Sequence, residues 1–162
     1  MCYNNARKGK KGVYKMRTIY FDMDGTIADL YGVNGWLDML RAADTTPYEV
    51  AKPLIRLSTL ARMLNKLQKE GYRIGIISWL AKNSTIDYDN RVRETKKKWL
   101  ARHLPSVKWD EIYIVNYGVC KDTFNVDNDI LFDDEDKNRA EWTGTAFNVN
   151  AIFDSLKSLK KN

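Results

Sequence analysis

The chain has 162 residues and a mass of 18.8 kDa, with 44% hydrophobic and 30% charged residues. This length and composition predict one domain with its own core and exclude collagen-like, low-complexity and mostly disordered proteins. The longest uncharged apolar stretch, residues 74–81, is too short to span a bilayer, and the N-terminus lacks the apolar run of a signal peptide. We therefore expect a soluble, cytoplasmic protein without a membrane partner.

The net charge of +6 is unevenly distributed. Residues 1–15 hold five lysines and arginines and no acid, so residues 16–162 carry only +1. We predict a basic N-terminal tail over residues 1–15 and one domain over residues 16–162. A solvated tail is favoured over a nucleic-acid contact, so nucleic acid is the less favoured partner. A single histidine and two widely spaced cysteines nearly exclude a zinc site.

The pattern of elements predicts strands that alternate with helices. A buried strand at residues 18–21 ends in Asp22, and the segment 30–53 then interrupts the pattern as a small cap insertion, with one short helix and a turn. Leucines at 57, 60, 64 and 67 predict a helix that ends near Gly71. Later strands are predicted at 74–77, 111–115, 130–132 and 145–149, and later helices at 90–103 and 151–160.

This alternation predicts an α/β fold, a Rossmann-like, doubly wound and mostly parallel sheet. Ligands of such sheets bind just beyond the carboxyl ends of the strands. Here those ends carry Asp22, Ser78 and Asp133. The topology would therefore gather these three polar side chains at one edge of the sheet.

The segment Phe21-Asp-Met-Asp-Gly-Thr26 resembles the first motif of the haloacid dehalogenase (HAD) superfamily. The remaining family motifs follow in order. Ile74–Ser78 is similar to the second motif, Lys121 stands where the third motif's lysine is expected, and Ile130–Asp134, followed by Asn138, is similar to the fourth. Four short motifs in the right order are far less prone to coincidence than any one of them.

A phosphate monoester is doubly charged near neutral pH, so a carboxylate nucleophile needs cations to approach it. Mg²⁺ binds carboxylate and phosphate oxygens, and Asp22 and Asp134 could provide such ligands. The resemblance implies that Asp22 is the nucleophile and forms an aspartyl-phosphate, while Asp24 protonates the leaving group and later activates water. It also implies that Asp24 binds the metal through its backbone carbonyl, and that Asp133 orients the metal ligands without binding the metal itself.

The substrate-binding residues implied by the resemblance are Gly25, Thr26, Ser78 and Lys121. Gly25 permits a sharp turn, and Thr26 braces the loop. Ser78 would donate a hydrogen bond to a phosphate oxygen, and Lys121 would neutralise both Asp22 and the transferring group. Two other lysines, Lys108 and Lys137, lie near Lys121 in the sequence and leave the third-motif lysine open. For Asp136 a capping or solvated role is favoured.

The substrate is less sharply indicated than the reaction. The stretches Phe21–Asp29 and Leu131–Asp136 are similar to those of 5′(3′)-deoxyribonucleotidases, which favours a nucleotide or another small phosphomonoester. The insertion looks too short for the helical cap of that group, so the site is expected to be open. This leaves two alternatives, a phosphatase of polynucleotide ends or proteins and a non-catalytic phosphate-binding module. Retention of both Asp22 and Asp24 argues against the module.

Overall fold

A computed structural model describes residues 16–159 of the chain. The expected basic tail, residues 1–15, and the end of the last predicted helix lie outside the described residues. The described part contains seven strands and six α-helices. None of its helices combines the length and the apolar character needed to cross a membrane.

Five strands form one parallel sheet in the order β5-β4-β1-β6-β7. Their bounds are β1 Thr18–Phe21, β4 Arg73–Trp79, β5 Glu111–Val115, β6 Ile130–Phe132 and β7 Thr145–Phe147. The central strand β1 is buried along its whole length, with Ile19 and Phe21 facing one core layer and Tyr20 the other. Both faces of the sheet are thus covered, which confirms the predicted α/β, Rossmann-like architecture.

The helices are α1 Trp36–Arg41, α2 Thr46–Val50, α3 Leu57–Lys69, α4 Ile86–His103, α5 Asp136–Glu141 and α6 Ile152–Ser158. Helix α3 confirms the leucine pattern, since Leu57, Leu60, Leu64 and Leu67 are its buried residues. The chain turns after α3 at Gly71, whose φ of +101° suits a glycine.

Two element boundaries differ from the prediction because capping and sheet pairing extend the elements. Helix α4 begins at Ile86 rather than at residue 90, since the Thr85 side chain accepts a hydrogen bond from the Tyr88 backbone N–H and caps the helix. Strand β4 runs to Trp79, so Ser78 lies inside the strand and not after it.

The C-terminal part also differs. Strand β7 ends at Phe147 rather than at residue 149, and Val149–Ala151 form a 3₁₀ helix before α6. The Asn148 side chain accepts a hydrogen bond from the backbone N–H of Asn150, which starts this 3₁₀ turn and ends the strand.

The segment 30–53 is built differently from the expected single helix and turn. It contains two helices, α1 and α2, and its base is a two-stranded antiparallel ribbon of β2 (Ala28–Asp29) and β3 (Lys52–Pro53). Three side chains of α4 hold the segment, because Tyr88, Arg91 and Trp99 donate hydrogen bonds to its backbone carbonyls. We keep the name cap for residues 30–53.

Candidate active site

Three carboxylates meet where strands β1 and β6 end. The backbone N–H of Asp22 donates to the carbonyl of Phe132 over 2.9 Å, which aligns the two strand ends. Asp133 and Asp134 follow Phe132 directly. Each of the three aspartates offers one carboxylate oxygen, and these oxygens lie within 4.8 Å of one another. The adjacency of two strands that are far apart in sequence creates this acidic cluster.

Lys121 joins two of these carboxylates. It begins a 3₁₀ helix, Lys121–Phe124, and its buried Nζ donates to Asp22 Oδ1 over 2.7 Å and to Asp133 Oδ2 over 2.6 Å. Burial alone lowers the pKa of Lys121, but the charges of Asp22 and Asp133 outweigh burial and raise it above its ordinary value. Of the neighbouring lysines, Lys137 pairs instead with Glu141 at the surface. Lys108 precedes β5, whereas Lys121 follows the carboxyl end of that strand.

Asp133 is fully buried and has partners for both of its oxygens. Besides Lys121, Asn138 Nδ2 donates to it over 3.1 and 3.3 Å, and the backbone N–H of Glu135 donates over 2.9 Å. Burial and the nearby charge of Asp22 raise the pKa of Asp133, while Lys121 opposes that rise. Its contacts suit a group that orients its neighbours.

Asp134 is the carboxylate with the least compensation. Thr26 Oγ1 donates to its Oδ1 over 3.3 Å, and no ion pair to Asp134 is found among the described residues. Burial and the charges of Asp22 and Asp133 raise the pKa of Asp134 to about 7. The carboxylates of Asp22, Asp133 and Asp134 lie close together, and their negative charge is only partly compensated. Such a set of oxygen donors fits a hard divalent ion such as Mg²⁺.

Gly25 lets the loop that carries Asp22 and Asp24 pass close to Asp134. Its φ is +79°, and a Cβ added there would lie 2.5 Å from Asp134 Oδ2 and 2.7 Å from the Tyr31 ring. Gly118 has a similar φ of +82°, yet nothing lies within 4 Å of its would-be Cβ. The two glycines thus differ in the clash with Asp134 and Tyr31.

We expect Gly25→Ala to reduce both stability and stabilisation by Mg²⁺. Backbone strain costs alanine about 1–3 kcal/mol at either glycine, but at Gly25 the Cβ also displaces Asp134. Thermal unfolding with and without Mg²⁺ should therefore show a larger loss in Gly25→Ala than in the control Gly118→Ala, and a smaller shift on adding the ion. Equal losses and equal shifts would contradict this role of Gly25.

Asp24 is held by a second buried lysine, Lys96, which the sequence interpretation missed. Lys96 Nζ donates to Asp24 Oδ2 over 2.6 Å, to Ser78 Oγ over 2.9 Å and to the Trp79 carbonyl over 2.7 Å. Its ammonium also lies 4.9 Å from the centre of the Tyr48 ring. Burial and the charge of Asp22 raise the pKa of Asp24, although Lys96 opposes that rise. Lys96, on α4, thus links the cap to the loop that carries Asp22 and Asp24, which we call the acidic loop.

The residues proposed to bind substrate do not all reach open space. Ser78 and Thr26 are fully buried, and Ser78 Oγ faces Lys96. Lys121, in contrast, lines a cavity beside the carboxylates. The second-motif resemblance implies that Ser78 donates a hydrogen bond to a substrate phosphate. In this structure Ser78 instead contacts Lys96, the lysine that holds Asp24, and is not among the residues that line the cavity.

A cavity of about 800 Å³ opens between the cap and the carboxyl ends of the strands. Its floor carries the acidic residues Asp22, Asp24, Asp133 and Asp134. Its walls carry the aromatic residues Tyr31, Trp36, Tyr48, Trp79, Tyr88 and Tyr117. The cavity thus combines a charged, metal-suited floor with aromatic walls.

A family model described as "5′ nucleotidase, deoxy (Pyrimidine), cytosolic type C protein" (NT5C) matches residues 48–157, which is more than half of the chain. The chain belongs to the NT5C family. Membership confirms the resemblance to the deoxyribonucleotidase branch of the HAD superfamily and places the chain among HAD-type nucleotidases and phosphatases. The NT5C match begins at residue 48, so it does not cover the loop of Asp22 and Asp24.

Two solved structures are similar in fold. The "Structure of Pnkp1/Rnl/Hen1 complex" aligns with 17% identity and a TM-score of 0.51 over 90% of this chain and 50% of that one. The "Structure of the Pnkp1/Rnl/Hen1 RNA repair complex" gives 18% identity and 0.53 over 91% and 47%. This chain spans about half the length of those chains, and the low identity shows a shared fold alone. No curated protein matches the sequence significantly.

Proposed function

We propose that this NT5C-family protein is a Mg²⁺-dependent phosphomonoesterase that acts on a nucleotide or similar small phosphomonoester through an aspartyl-phosphate at Asp22. The observation that carries the proposal is the double contact of Lys121 with Asp22 and Asp133, beside Asp134 and at the floor of the cavity. It provides a carboxylate nucleophile, a fixed positive charge and metal ligands in one place. The family's description as cytosolic supports the expected cytoplasmic location.

Asp22 and Asp134 would hold Mg²⁺, with the backbone carbonyl of Asp24 as the further ligand implied by the resemblance. When bound, the ion offsets the negative charge of the phosphate and of the carboxylates around it. Asp133 keeps Lys121 and Asn138 in place, since both of its oxygens already accept hydrogen bonds from these residues and from the Glu135 N–H. Its part is to orient its neighbours.

In the first step an oxygen of Asp22 attacks phosphorus, and the bond from phosphorus to the leaving oxygen breaks. Asp24 gives its proton to that oxygen, so the alcohol leaves neutral. In the second step Asp24 takes a proton from water, which attacks the phosphorus of the aspartyl-phosphate. Inorganic phosphate leaves and Asp22 is regenerated. Lys121 neutralises charge on Asp22 and on the transferring group throughout.

The aromatic walls of the cavity support a nucleotide as substrate. A base has a π-face that stacks on tyrosine and tryptophan, and Tyr31 and Trp36 meet edge to face with ring centres 5.1 Å apart beside the acidic floor. Tyr31 is the aromatic side chain that approaches Gly25. This pair on the cap is well placed for the base of a nucleotide whose phosphate lies over Asp22.

Phosphate release from nucleotides, sugar phosphates and p-nitrophenyl phosphate, measured with Mg²⁺ and with a chelator, tests the proposal. We expect hydrolysis of nucleoside monophosphates with Mg²⁺, none with the chelator, and none by Asp22→Asn. Asp136→Asn is the matched control, because the Asp136 side chain is 96% exposed and paired with Arg139. Lack of turnover on every monoester, together with tight phosphate binding, would favour the non-catalytic module instead.

A further inference from the structure

A second pair of aromatic rings lines the cavity from outside the cap. Trp79 is the last residue of β4, and its Nε1 donates to the Val119 carbonyl over 2.9 Å. The Trp79 and Tyr117 ring centres are 5.0 Å apart, and Tyr117 is 53% exposed. Lys82 Nζ lies 5.8 Å from the centre of the Tyr117 ring. We call Trp79, Lys82 and Tyr117 the outer shelf.

The outer shelf connects directly to the reaction centre. Lys121 Nζ, which contacts Asp22, lies 5.3 Å from the centre of the Trp79 ring. Trp79 therefore lies between the charged floor of the cavity and Tyr117 at its rim. A ligand that has its phosphate at Asp22 and extends past Trp79 would next meet the face of Tyr117.

Lys82 gives the rim a positive charge that is available to a ligand. It is exposed and, within residues 16–159, its ammonium forms no ion pair. Of the other basic residues that line the cavity, Lys121 pairs with Asp22 and Asp133, and Arg41 pairs with Asp38. Lys82 is therefore the lining cation whose charge can contact an anionic ligand. An aromatic face with an adjacent ammonium is the combination that binds a base and its backbone phosphate in single strands.

We propose that the outer shelf binds the nucleotide next to the one that carries the terminal phosphate, so that the substrates include phosphorylated ends of single-stranded nucleic acid. The inference rests on the proposed function. A mononucleotide has one base, which the Tyr31–Trp36 pair can stack, and the outer shelf offers a second stacking face within the same cavity. The second base stacks on Tyr117, and the phosphate between the two nucleosides pairs with Lys82.

The length dependence of hydrolysis tests the inference. We expect kcat/KM to be about tenfold or more higher for di- and trinucleotides with a terminal monophosphate than for the mononucleotide, because one stacked base is worth that factor. DNA and RNA, each phosphorylated at the 5′ or the 3′ end, are the probes. Tyr117→Ala should bring the ratio close to one, whereas Tyr117→Phe keeps the ring and should keep the ratio.

The salt dependence of binding tests Lys82 separately. With trinucleotide bound to the Asp22→Asn protein and followed by tryptophan fluorescence, Lys82→Ala should flatten the plot of log affinity against log salt by about 0.7, the value of one phosphate contact on a single strand. Lys97→Ala is the control, since Lys97 is exposed, pairs with Glu94 and lies outside the cavity. Residues 1–15 are kept throughout, so the basic segment contributes equally.

Two outcomes overturn the inference alone: hydrolysis of mononucleotides with no gain for longer substrates, or a length preference that survives Tyr117→Ala. An unchanged salt slope in Lys82→Ala would likewise remove the phosphate contact. Failure to hydrolyse any monoester, of any length, would instead overturn the proposed function on which the inference rests. The substrate series thus separates the two failures.

Discussion

Asp24→Asn is expected to turn the hydrolysis of p-nitrophenyl phosphate into a burst followed by slow turnover. The p-nitrophenolate leaves without a proton, so Asp22 can still be phosphorylated, but the asparagine cannot take a proton from water in the second step. Steady-state turnover should fall by about 10²–10⁴-fold, the usual contribution of general acid–base catalysis. Stopped-flow absorbance should show one equivalent of p-nitrophenol per active site before the slow phase.

A nucleoside monophosphate should show no burst in Asp24→Asn, because its alkoxide needs a proton to leave. The asparagine keeps an oxygen that can accept a hydrogen bond from Lys96, and Lys96 also keeps Ser78 and the Trp79 carbonyl. Asp24→Asn should lose stability because the Lys96 charge loses its partner, but circular dichroism should report a folded protein because Lys96 keeps these three hydrogen-bond acceptors. Wild-type turnover in Asp24→Asn on both substrates would show that another residue moves the proton.

Lys96→Met should cause a large loss of stability. The Lys96 side chain is 1% exposed and the Asp24 side chain is 16% exposed. Lys96 Nζ lies 2.6 Å from Asp24 Oδ2. Removing one partner of a buried ion pair leaves the other charge without compensation, so the free energy of unfolding should fall by about 3–5 kcal/mol. Urea unfolding of the purified proteins, followed by tryptophan fluorescence, measures this difference.

The next residue supplies a matched control. Lys97 lies on the same helix, α4, and pairs with Glu94 in solvent, so Lys97→Met should cost no more than about 1 kcal/mol. The double variant Lys96→Met with Asp24→Asn removes both charges and should recover part of the loss. If Lys96→Met costs no more than Lys97→Met, the pair does not stabilise the fold.

The acidic loop and the sheet could be predicted because their signals are local. The short apolar strands at residues 18–21 and 130–132 are each followed directly by aspartate, and parallel pairing then brings those ends together. Lys121 was harder to place, since Lys108 and Lys137 lie close to it in sequence. In the structure Lys121 donates a hydrogen bond to Asp22. The path of the chain after β5 determines which lysine reaches that carboxylate.

Lys96 escaped the sequence interpretation because it begins a run of three lysines that looks like a solvated surface. A signal was nevertheless present. Helix α4 buries Tyr88, Val92, Trp99 and Leu100, and Lys96 falls on the same face, four residues after Val92. A lysine on the apolar face of a helix needs a buried acceptor, and that requirement could have pointed to an acid of the site.

Ser78 and the cap illustrate what local patterns leave out. The strand signal weakens after Ile77, so Ser78 was expected beyond the strand, but pairing with β5 extends β4 through Trp79. In the cap, one short helix and a turn were expected, yet Pro47 lies in the first turn of a second helix, α2, where proline is favoured. Both outcomes depend on neighbours that are distant in sequence.

The most direct test of the account is to trap the phosphoryl group on the protein. The Asp24→Asn variant, mixed with Mg²⁺ and p-nitrophenyl phosphate carrying radiolabelled phosphorus, and then quenched in acid, should retain close to one label per active site. Hydroxylamine should release the label, as it does from an acyl phosphate, and peptide mapping should place it on Asp22. Turnover without protein-bound label, or label on a residue other than Asp22, would contradict the account.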